Sequence, residues 1–122
     1  MKKVFTVLLV LCLSLSLFAQ GAQEASAAKA ETTYAIAMIT DSGDITDQSF
    51  NQSTYEACKD YAAAKGLKFQ YYKPAGDSDT DRSASIEKAI DDGYNIIVVV
   101  NFGPSIADYA SWYPDIRFIA VL

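Results

Sequence analysis

The chain has 122 residues, with 15 acidic and 10 basic side chains, no histidine and two cysteines. A net charge of −5 argues against nucleic acid or an anionic membrane surface as partner, because both need clustered Lys and Arg. Without histidine, and with its two cysteines at positions 12 and 58, the chain lacks the usual zinc constellations and imidazole-activated nucleophiles.

Lys2 and Lys3 precede an apolar run from Val4 to Ala19, followed by a polar, alanine-rich stretch. This is the three-part pattern of a secretory signal peptide. The run is shorter than the roughly 20 residues a membrane span needs. Cleavage fits Ala19-Gln20-Gly21, or Ala25-Ser26-Ala27 further on, with small residues three and one before the cut. Lipid anchoring through Cys12 is disfavoured, because bulky Leu11 precedes it and the apolar run continues past it. Residues 1–21 are therefore expected to be a leader, and the protein to be secreted across the inner membrane to the periplasm or cell-envelope surface. From Ala22 onward there are eight basic and fifteen acidic side chains, a net charge of −7. Cys58 then has no intramolecular partner, so a packed core must hold the fold. Residues 22–33 are rich in Ala, Glu, Ser and Thr without apolar periodicity and read as a flexible linker.

From Tyr34 two periods alternate. Tyr34 to Thr40 is an uncharged apolar run, the pattern of a central parallel strand buried on both faces. After a loop from Asp41 to Gln48, Ser49 and Gln52 have the spacing of a capping box. A helix follows to Lys65, with Tyr55, Cys58, Tyr61 and Ala62 on one face and Gly66 as its stop. Cys58 reads as a small core residue. Leu67 to Tyr72 alternates as a strand nearer the sheet edge, and Lys73 to Asp77 is turn chemistry. A second helix is expected over about Thr80 to Asp92, with Ile86, Ala89 and Ile90 facing the sheet and Gly93 ending it. Asn95 to Val100 is a buried strand, and Asn101-Phe-Gly-Pro104 a turn. Ser105 to Trp112 is a short helix, and Arg117 to Leu122 a fourth apolar strand.

The sum is β-α-β-α-β-α-β, an α/β, doubly wound parallel sheet covered on both faces. In such sheets ligands bind outside the carboxyl ends of the strands, here the loops after Thr40, Tyr72 and Val100. The last residues are apolar and uncapped, which leads to the expectation of a fragment, marginally stable and weak in binding when alone.

The most informative segment is Asp41-Ser-Gly-Asp-Ile-Thr-Asp-Gln-Ser-Phe-Asn-Gln52, between the first strand and the first helix. On residue types alone the loop is open to a structural as well as a ligand-binding reading, with Phe50 packing, Asn51 bonding solvent, and Asp41, Asp44 and Asp47 serving Asx turns or caps. The segment nevertheless resembles, nearly letter for letter, the signature loop of the basic membrane protein family, the purine-nucleoside-binding proteins of ABC importers. Asn101-Phe-Gly103 and the segment Tyr113 to Phe118 extend the likeness, so it covers residues 34–122.

The resemblance implies a partial first lobe of a type I periplasmic-binding-protein fold, with no enzymatic activity and no cofactor. The implied ligand is a purine nucleoside such as inosine, guanosine or adenosine, held between two lobes and delivered to a membrane permease. At matching positions Phe50 would stack on the purine, and Asn51 and Asp41 would hydrogen-bond the ligand. Ser42 and Gly43 of the same loop, and Phe102 after the third strand, belong to the same implied ligand-binding set. Aromatic faces and mixed donor and acceptor groups suit a purine.

The three carboxylates, with no basic residue between Asp41 and Glu56, favour a neutral nucleoside over a nucleotide. Two alternatives compete. A sugar-binding protein of the same architecture uses similar groups. A receiver-like, Mg-dependent phosphotransfer domain also has acidic loops. It fits less well, because Asn101 stands where the phosphorylatable aspartate belongs and Gly43 breaks a D-x-D pattern.

Overall fold

The computed structural model describes residues 31–122; the expected leader, and all of the expected linker before residue 31, lie outside them. Four strands and three helices alternate: β1 (Ala35–Ile39), α1 (Phe50–Lys65), β2 (Lys68–Tyr72), α2 (Asp79–Asp91), β3 (Ile96–Val100), α3 (Ser105–Trp112) and β4 (Arg117–Val121). The strands form one sheet in the order β2-β1-β3-β4, and every pairing is parallel. The α/β class and the central place of β1 are thus as the residue patterns predict.

Period-two alternation divides β1 between two cores. Ala35, Ala37 and Ile39 pack with Ile97 and Val99 of β3, Ile86 and Ala89 of α2, and Tyr109 of α3. On the other face Ile36 and Val98 meet Ala62 of α1, with Cys58, Leu67 and Phe69 partly buried around them. Met38, Ile39, Ile86, Ile97 and Val99 are fully buried, and each such side chain contributes about 1.5–3 kcal/mol. The uncharged runs are therefore the strands with a helix on either side, as double burial requires.

Strand order explains the helix placement. The chain leaves β1 in one direction to reach β2, then returns past β1 to β3, and right-handed crossovers in opposite directions fall on opposite faces. The reversal lies between β1 and β3, the switch point beside which ligands bind in such sheets. At the other end Asn95 ties three strands together. Its side chain accepts the Ala35 N–H at 2.9 Å, and its carbonyl accepts the Arg117 N–H at 2.9 Å.

Gly66 and Gly93 end their helices at φ 65° and 88°, the left-handed region glycine enters without penalty. Two local expectations are corrected. The Ser49 hydroxyl makes no capping bond, and a carboxylate described below takes its place. Tyr61 is 55% exposed, because α1 packs on β1, β2 and β3 and leaves this ring at the margin. The same reach leaves the α1 side of β4 open, so Ile119 is half exposed. Among the described residues no helix is long and apolar enough to cross a membrane.

Candidate functional site

The expected site, at the carboxyl ends of β1 and β3, comprises the β1–α1 loop and the loop after β3. Thr40, fully buried, continues the ladder by donating its N–H to the Tyr72 carbonyl at 3.0 Å. Asp41 then folds the chain back: its Oδ1 accepts the Gly43 N–H at 2.5 Å, an Asx turn. A Cβ on Gly43 would lie 2.6 Å from Asn51 Nδ2 and 2.8 Å from Asp41 Oδ1, so the turn has room only for glycine.

Asn51 is the polar residue that closes the loop. It is 1% exposed, and its Oδ1 accepts the Asp41 N–H at 3.1 Å. Its Nδ2 donates to Asp41 Oδ1 at 2.6 Å and to Asp47 Oδ2 at 2.8 Å. Both amide hydrogens are committed within the loop. Asp41 Oδ2, by contrast, accepts no hydrogen bond from the described residues.

Asp47 caps α1. Its Oδ1 accepts the N–H groups of Ser49 at 2.8 Å and of Gln52 at 3.2 Å. A carboxylate accepts these more strongly than a hydroxyl, which is why it displaces the Ser49 hydroxyl as the cap. Desolvation pushes the Asp47 carboxyl up, but the N–H groups of Ser49 and Gln52, then the Asn51 amide, outweigh it and hold the group below its ordinary value. Gln52 reaches back as a capping box requires, yet to the Gln48 N–H at 3.0 Å.

The other site candidates divide. Phe50, in the first turn of α1, is 59% exposed, so most of its ring is open to solvent. Ser42 is exposed at the turn. Asp44 is exposed and pairs with Lys73 at 3.8 Å. Asp41, Asp44 and Asp47 are thus engaged in three separate ways, by turn, ion pair and cap. Phe102, in the loop after β3, is half-buried against the core that α2 and α3 cover, so it props that loop. Gln48 at φ 56° and Asn101 at φ 50° are the non-glycine residues of positive φ among those described, and they lie one in the β1–α1 loop and one in the loop after β3. Such backbone costs about 1–3 kcal/mol and recurs at ligand sites.

One contact joins residues 26 apart in the chain. The Ser105 hydroxyl donates to Asp79 Oδ1 at 3.0 Å, and a Cβ on Gly103 would fall 1.8 Å from that oxygen. Asp79, at the start of α2, therefore pins the loop that carries Phe102. Its only local signal is its place next to Ser78, whose hydroxyl caps α2 by accepting the Asp81 N–H at 3.1 Å.

A family model described as ABC transporter substrate-binding protein PnrA-like matches residues 34–121. The chain is also similar to the "CD4+ T-cell-stimulating antigen" of Listeria monocytogenes serovar 1/2a and to that of Listeria innocua serovar 6a. Each is 27% identical over 79 residues, covering 61% of this chain and 22% of the relative. The chain therefore spans about a fifth of the length of these curated relatives.

Proposed function

Since the chain belongs to the family of PnrA-like ABC transporter substrate-binding proteins, we propose that it forms one wall of an extracytoplasmic site for a purine nucleoside, delivered from there to a membrane permease. The observation that carries this reading is the exposed Phe50 ring next to a loop locked by Asn51. An aromatic platform fixed on a rigid helix start is what stacking on a purine requires.

In this reading Phe50 carries the face of the base, and Asp41 Oδ2 accepts an N–H from its edge. Asn51 acts through Asp41 and Asp47 as a positioning residue, and Ser42, Gly43 and Phe102 shape the rim. The acidic loops favour a neutral ligand over a phosphorylated one. Hinge closure of a second lobe would complete the enclosure.

Amide spectra of the full chain, recorded with millimolar inosine, guanosine, ribose, galactose and glucose in turn, test the proposal even at weak affinity. Shifts confined to residues 41–52 and 101–104 are expected with the nucleosides alone. The same shifts with a hexose and none with a nucleoside would favour the sugar-binding alternative and overturn it.

A further inference from the structure

A concavity of about 720 Å³ lies between β2 and α2, and Lys73 at its rim also pairs with Asp44 of the β1–α1 loop at 3.8 Å. Tyr72 and Tyr94 meet edge to face in it, with centroids 6.0 Å apart, and Lys68, Lys73 and Lys88 border it. Residues 31–122 carry fourteen acidic side chains and seven basic ones, and three of the seven line this groove. Asp92 is the one carboxylate among its lining residues. It accepts the Tyr72 hydroxyl at 2.7 Å and the Lys88 ammonium at 3.3 Å, while Lys68 Nζ sits 4.7 Å over the Tyr94 ring. The groove is thus a net positive concavity in a strongly acidic protein, and it already holds one carboxylate by a hydroxyl and an ammonium.

The groove runs beside an open strand. β2 pairs with β1 alone among the described strands. The Tyr72 carbonyl accepts from Thr40, so Tyr72 faces inward, and alternation directs the main-chain groups of Phe69 and Tyr71 outward. Consistent with this, the Tyr71 carbonyl is taken by the Gln70 side chain at 2.9 Å. Lysines on an edge strand usually prevent aggregation, but Lys88 comes from α2 and faces the same hollow as the strand lysines.

We propose that this groove docks an acidic, extended peptide segment of a protein partner, laid along the open edge of β2 with its carboxylates against Lys68, Lys73 and Lys88. The five residues of β2 span about 17 Å. A partner segment of that length with acidic residues at alternate positions matches both the strand and the charges. Charge complementarity selects the partner, and the outward N–H groups of Phe69 and Tyr71 supply the main-chain bonds.

Fluorescence anisotropy with the full chain tests this, using a labelled peptide that alternates Glu with Val and Thr, and its Gln counterpart. The Glu peptide should bind at least about ten-fold more tightly, and each of Lys68→Gln, Lys73→Gln and Lys88→Gln, all exposed, should weaken it about 2- to 5-fold. Raising salt from about 50 to about 300 mM should weaken it further. Hydrogen exchange at the Phe69 and Tyr71 amides should slow with the peptide bound. Equal affinity for the two peptides, no effect of the lysine changes, or unaltered exchange at both amides would overturn the proposal. So would displacement of the peptide by low millimolar free glutamate, which would mark a small-anion site instead.

Discussion

Replacing Asn51 with alanine removes the side chain that joins the end of β1 to the start of α1. The part-buried Asp41 N–H loses its acceptor at 3.1 Å, which costs about 1 kcal/mol. The bond to Asp41 Oδ1 at 2.6 Å is charge-assisted, but that carboxylate is partly open to water and regains hydration, so about 1–2 kcal/mol is assigned to it. The bond to Asp47 is counted as nothing, because that carboxylate is exposed. The expected loss is about 2–3 kcal/mol, a large part of the about 5–15 kcal/mol of a small domain. Urea unfolding followed by circular dichroism should show the midpoint falling by about 2–3 M with the slope unchanged, for a slope of about 1 kcal/mol per M. Asn51→Asp sharpens the test. At pH 7 it sets a third carboxylate against Asp41 and Asp47 and should destabilise more than alanine, with the gap closing towards about pH 4 as one group takes a proton. A midpoint shift below about 0.5 M, or an aspartate variant as stable as wild type at pH 7, would refute the keystone role.

Gly103→Ala should destabilise by about 1–2 kcal/mol, because its Cβ competes with Asp79 Oδ1 for one position. Adding Asp79→Ala should recover part of that loss, a coupling of at least about 0.5 kcal/mol in a double-mutant cycle followed by thermal melting. Phe50→Ala should change stability by less than about 0.5 kcal/mol, since the ring is mostly exposed. It should nonetheless weaken nucleoside binding about 5- to 100-fold, read from the amide-shift titration. Acid should uncap α1. The Asp47 carboxyl is depressed in the fold, so its contribution is present above the unfolded carboxylate value and lost as pH falls below about 4. Asp47→Asn should flatten that acid limb of the stability curve, as measured by urea midpoints between about pH 2 and 6.

Much of this architecture was legible from the chain, for identifiable reasons. β1 and β3 announced themselves as uncharged runs because both of their faces are covered, and Gly66 and Gly93 marked helix ends because those ends require positive φ. The Phe50 position followed from the loop's resemblance and from the strand-to-helix junction. What was not legible depends on competition or distance. Ser49 has the spacing of a cap, but no local pattern reveals that the Asp47 carboxylate outcompetes its hydroxyl. The apolar letters of β4 suggested burial, yet Ile119 is half exposed because helix reach, set by strand order, decides which strand faces are covered. Asp79 meets Gly103 only through the fold. Asn51 illustrates both sides: its place in the motif was readable, whereas its commitment to two carboxylates was not.

In the proposed site a purine face rests on the Phe50 ring at the start of α1. An NOE experiment on the full chain with inosine tests this most directly. Cross-peaks from the Phe50 ring to the purine H2 and H8 protons, absent when ribose replaces inosine and abolished by Phe50→Ala, are the predicted result. Cross-peaks from the purine to other rings, unchanged by Phe50→Ala, would contradict it.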